Sequence, residues 1–155
     1  QKNFCAYTEK YISNLETVEV EHFNSSKKYN DDYYNYYAVL RKANLYKKDE
    51  KYKNATFFTS LFFQNEQKFN DKIEYLKGDF IYSEIDENDV ESKEFIDFLD
   101  LNNPDLVKER KNHISRLNYL AKEQIDLKKY FKNHKEELNF ITIIEKELNI
   151  IIEDL

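Results

Sequence analysis

Asn102-Asn103-Pro104-Asp105-Leu106-Val107 is where the helical reading of this chain is anchored. Asn is among the best N-cap residues, and proline at the first helical position gives up an amide that has no intrahelical partner there. Downstream, Leu106, His113, Leu117, Leu120, Leu127 and Phe131 recur at helical steps, with Arg110 and Gln124 completing the stripe. That spacing predicts a helix over 104–132. Asn133-His134 breaks it, and Leu138, Ile141, Ile144, Leu148, Ile151 and Leu155 mark a last helix over 135–154. So short a break predicts a long antiparallel helical hairpin. Leu117, Leu120, Leu127, Ile141, Ile144 and Leu148 are expected to share one core. Phe140, Ile143, Ile150 and Ile152 lie off the main stripe of the last helix. That helix is therefore expected either to sit centrally or to form a homo-oligomer interface through 135–155.

Toward the N-terminus, Ser92 is expected to cap a short helix holding Phe95, Ile96 and Leu99. Residues 79–90 are the least helical stretch and read as a non-helical connection. A short strand of Phe80, Tyr82 and Ile85 is the alternative there, with no visible partner. Gly78, the only glycine, fits the left-handed position after a helix that Asn65 caps and that holds Phe69, Ile73 and Leu76. Tyr52, Ala55, Phe58 or Thr59, and Phe62 or Phe63 mark a helix after a cap at Asp49. Tyr33, Tyr34, Tyr37, Leu40 and Ala43 mark another, from about 31 to 47, capped by Asn30 or Asp31. Phe4, Tyr7, Tyr11, Leu15 and Val18 predict a first helix from about 3 to 22.

Composition points the same way. Of 155 residues, 41% are hydrophobic and 35% charged, with one Gly and one Pro. Tight hairpins and phosphate loops draw on Gly and Pro, so sandwiches, barrels and dinucleotide folds are not expected. The expected fold is all-α: one irregular helical bundle of about six to seven helices over 1–155, ending in the long hairpin.

The same counts exclude several functions. Lys plus Arg number 24 against 30 Asp plus Glu, a net charge of −6, and Arg41, Arg110 and Arg116 are the only arginines. That balance argues against nucleic acid. Cys5 is the only cysteine, so no intramolecular disulfide and no cysteine-based metal site is expected. No apolar run is long enough to span a membrane. Glu19-Val20-Glu21-His22 has the Glu-x-x-His spacing of a di-iron ligand pair but no second copy, so no metal is assigned. The acidic run 86–91 lacks the turn glycine and ligand spacing of a calcium loop. Neither Gly-x-Ser-x-Gly nor His-Glu-x-x-His occurs, and no catalytic residue or cofactor is assigned. The first residue, Gln1, is one that signal cleavage leaves in many exported proteins, so exported and cytoplasmic locations both stay open.

One cluster stands out. Tyr33, Tyr34, Tyr36 and Tyr37 place four rings within five residues, too wide an arc of a helix for one buried stripe. Exposed tyrosine offers large contact area at low entropy cost, so these four are the candidate partner-binding residues. The expected function is a non-enzymatic domain that binds another protein. The alternatives are an exported or periplasmic immunity or inhibitor protein that sets its acidic surface against a basic partner, and an enzyme using helix-borne carboxylates.

Overall fold

A computed structural model describes residues 3–13, 16–29 and 32–152. It overturns the all-α expectation. Helices are combined with two separate antiparallel two-stranded sheets. The first pairs β1 (Val18–His22) with β2 (Tyr36–Leu40), and the second pairs β3 (Ile73–Leu76) with β4 (Ile81–Glu84). The helices are α1 (Arg41–Tyr46), α2 (Phe57–Ser60), α3 (Glu66–Asn70), α4 (Val90–Phe98), α5 (Pro104–Lys122), α6 (Leu127–Asn133) and α7 (Ile141–Leu148).

The helix expected over 3–22 does not form. The backbone groups it would use internally are taken by distant partners: Ala6 N–H donates to Ala38 C=O, and Phe140 N–H to Glu9 C=O. Val18-Glu19-Val20-Glu21-His22 alternates and pairs as a strand instead. The helix expected over 31–47 splits. Asp32 caps a 3-10 turn, Tyr33–Asn35, by accepting from Tyr34 N–H, and the chain then extends into β2 before α1 begins. The alternative caps Asn30 and Asp31, like Leu15 and Leu155 of the neighbouring expectations, lie outside the described residues.

Leu61 at φ 49° stops the third expected helix after Ser60, leaving α2 and a 3-10 turn, Phe62–Gln64. Asn65 caps α3 as read, accepting from Lys68 N–H, but Ile73 and Leu76 leave the helix and form β3. β3 is the partner that the strand in 79–90 needed: Tyr75 sits opposite Tyr82. Gly78 is left-handed, φ 84°, in the β3–β4 turn rather than at a helix end. Asp89, not Ser92, caps α4; Ser92 donates to it from both N–H and Oγ.

Asn103 caps α5 as the sequence indicates, accepting from Asp105 N–H. The long hairpin is replaced by three shorter helices. Gln124 at φ 62° and a new cap at Asp126 end α5 and start α6, while Phe140 at φ 60° and Asn149 at φ 53° bound α7.

Two cores result. One, beneath the first hairpin, is built on Phe23, Phe57, Phe58, Phe62, Phe95 and Phe98. The other joins α5, α6 and α7 through Leu117, Leu127, Phe131, Leu138 and Ile144, with Leu120, Ile141 and Leu148 packed against it. No helix among the described residues is long and apolar enough to cross a membrane.

Candidate functional sites: an exposed hairpin and an interior cleft

The four tyrosines do not share a helix face. Tyr33 and Tyr34 stand on the 3-10 turn before β2, 84% and 74% exposed, edge to face at 5.8 Å. Tyr29, in the same hairpin connection, is 88% exposed. Tyr36 is half-buried, its ring 4.5 Å from that of His22 across the strand pair. Tyr37 points to the other face of β2 and packs on Tyr7 and Phe23. Its hydroxyl accepts from Gln64 Nε2 at 3.1 Å, and burial raises its pKa.

The first hairpin has an unusual polarity. Glu19 and Glu21 lie on the face of Val39 and Tyr37, while Val18 and Val20 lie on the outer face, Val20 73% exposed. Inside, Lys47 Nζ donates to both oxygens of Glu21 at 2.7 Å and to His22 C=O at 2.7 Å. Tyr7 also donates its hydroxyl to Glu21. Arg41 N–H to Thr17 C=O and Phe23 N–H to Asn35 C=O bracket the ladder, which makes Glu19–Val39 and Glu21–Tyr37 its bonded pairs. Val18 and Val20 therefore turn their backbone groups away from β2, at a sheet edge that no strand among the described residues covers.

Between the two cores lies a cleft of about 610 Å³. Phe23, Tyr37, Phe63, Phe69 and Phe95 give it an aromatic wall, with Phe63 and Phe95 stacked at 5.1 Å. Glu9, Tyr82, Arg110 and Thr142 give it a polar end. Glu9 is held there by the N-terminus of α7. Its Oε2 accepts from Thr142 N–H at 3.0 Å and its Oε1 from Thr142 Oγ1 at 2.7 Å, supplying the cap that Phe140 cannot. Burial raises the Glu9 pKa; the Thr142 donors and the Arg110 charge oppose that rise. Burial also raises Tyr82 and lowers Arg110. Arg110 is 1% exposed and lies against the Tyr82 and Phe140 rings, 5.1 and 6.0 Å from their centroids.

Sequence reasoning missed this cleft. Its one legible trace was Arg110 on the apolar stripe of α5, between Leu106 and Ile114. Glu9 and Thr142 reach the same place from opposite ends of the chain, and no local spacing announces that. Cys5 is buried, its Sγ 3.4 Å from the Leu40 amide. His113 lies against Phe140, and burial lowers its pKa. No group of three or more His, Cys, Asp or Glu among the described residues is placed to hold a metal ion.

No protein family matches the chain, and neither a curated protein nor a solved structure matches it.

Proposed function

We propose that this domain binds another protein through its first hairpin. The observation that carries the reading is the exposure of Val18, Val20, Tyr29, Tyr33 and Tyr34 in that one hairpin. Exposed apolar and aromatic surface concentrated in one place marks a contact surface more often than an incidental one. The open edge of β1 adds main-chain donors and acceptors to which an extended partner segment can bond. Tyr33 and Tyr34 are the principal contacts, Tyr36 a lesser one beside His22. Tyr37 faces the cleft, so it supports the hairpin from within. The net charge of −6 favours a partner with a basic contact surface.

A second copy of the chain, joined through 135–155, has less to offer. Leu138, Phe140, Ile143 and Ile144 are buried in this chain's own core, and among the described residues of that segment Ile151 is the large apolar side chain that stays exposed. Binding is favoured over acid–base catalysis because both oxygens of Glu9, the innermost cleft carboxylate, already accept from Thr142.

The test is photo-crosslinking in the native cell. Benzoylphenylalanine is placed at Tyr34 and, as a control, at Tyr119, an exposed tyrosine on α5. The reading requires a discrete crosslinked protein from position 34 and none from 119. The same pattern from both positions overturns it.

A further inference from the structure

We propose that the cleft between the two cores is a binding site for a small organic acid, its carboxylate set against Arg110 and its aromatic or aliphatic body against the phenyl wall. The cleft's volume, about 610 Å³, falls in the range of roughly 300–1,000 Å³ typical of small-molecule sites.

Arg110 selects the charge of the occupant. Guanidinium carries five N–H donors and no acceptor. Arg110 makes one hydrogen bond, from Nη1 to Phe80 C=O at 3.1 Å, while its buried Nε has no partner. No carboxylate among the described residues lies within ion-pair distance of it. A buried cation short of acceptors is unfavourable unless another group completes it. The Tyr82 and Phe140 rings lie against it, 5.1 and 6.0 Å from its Cζ to their centroids, and neither accepts a hydrogen bond from it. Thr8 Oγ1, also buried and without a partner, borders the same cleft.

Three carboxylates also border the cleft: Glu66 at the exposed rim, Glu9, whose two oxygens are engaged by Thr142, and Glu145, whose Oε1 accepts from Ile152 N–H. Lys146, at the exposed rim, adds a second cation. Phe23, Phe63, Phe69 and Phe95 select the body. A bare inorganic anion would leave those rings uncovered, whereas a carboxylate on an apolar stem meets both ends of the site. A planar carboxylate also suits the bidentate geometry of guanidinium.

The experiment is an NMR titration of the whole chain with 3-phenylpropionate and octanoate, each beside its matching alcohol. Three arginines give three side-chain Nε–H signals, and Arg110→Gln identifies the one that matters. At least one acid is expected to saturate and to move the Arg110 signal, leaving those of Arg41 and Arg116 in place. Its alcohol is expected to bind at least about tenfold more weakly. Arg110→Gln should remove the difference between acid and alcohol. If that variant does not fold, the comparison in the unmodified protein decides alone. Failure of both acids to saturate by about 10 mM, equal binding of acid and alcohol, or saturation without movement of the Arg110 signal overturns the proposal.

Discussion

Lys47→Met is expected to be among the most damaging single substitutions outside the apolar cores. The Lys47 side chain is 1% exposed and its ammonium lies 2.7 Å from Glu21, with Asp49 3.2 Å away on another side. At 2.7 Å and an effective dielectric of about 20, the bare attraction to Glu21 is on the order of 6 kcal/mol. Desolvation offsets much of that in the intact pair. Removing one partner leaves the other buried and unpaired, at a cost of about 3–5 kcal/mol. With a denaturant slope of about 2 kcal/mol/M, the urea midpoint should fall by roughly 2 M. Far-ultraviolet circular dichroism reads it, since the chain has no tryptophan.

The pH dependence gives a second, independent check. Burial holds the Glu21 carboxyl above its ordinary value even while Lys47 and Tyr7 pull it down. Without Lys47 it rises further. A carboxyl with a folded pKa above its unfolded value of about 4.3 takes up a proton more readily in the folded state. Through Glu21, lowering the pH from 7 therefore favours the folded state, and does so more strongly in the variant. The gap between parent and variant should narrow between about pH 7 and pH 5. A gap below about 1 kcal/mol at neutral pH, or one that stays constant over that interval, refutes the argument.

Leu117→Ala removes a fully buried side chain and should cost about 2–5 kcal/mol, while Leu148→Ala, at a half-buried site, should cost less; equal small losses in thermal unfolding would show that α5 and α7 do not share a core. Gly78→Ala places a Cβ where nothing lies within 4 Å. Its cost is then the left-handed backbone alone, about 1–2 kcal/mol in urea titration, and a neutral result would mean that the β3–β4 turn has another shape.

The second half of the fold was far more legible than the first. Asn103-Pro104 placed the start of α5 because cap and proline act locally, and the shared core of Leu117, Leu127 and Ile144 followed from spacing. The hairpins were lost through one physical assumption, that turns in a chain with a single glycine must be rare. Among the described residues, eight non-glycine residues, Leu61, Phe80, Gln124 and Phe140 among them, adopt positive φ, and the β1–β2 connection carries 3-10 turns capped by Asn24 and Asp32 with no glycine or proline in it. In β1 the alternation of Val18-Glu19-Val20-Glu21 is plain, but its faces are inverted, with carboxylates inward on Lys47 and Asn44 and valines outward. The tyrosine cluster was singled out from local density alone. Its division into two exposed rings, one edge ring and one cleft ring depends on the strand register, which no local rule supplies.

The hairpin's role is tested most directly by the affinity of the crosslinked partner for a Tyr33→Ser, Tyr34→Ser double variant, measured beside its melting temperature. Both rings stand in solvent, so the melting temperature should stay close to that of the parent. Affinity should fall by about 30-fold or more, the equivalent of a 2 kcal/mol hot spot. Unchanged affinity in a variant that melts normally would contradict the assignment of this hairpin as the docking surface.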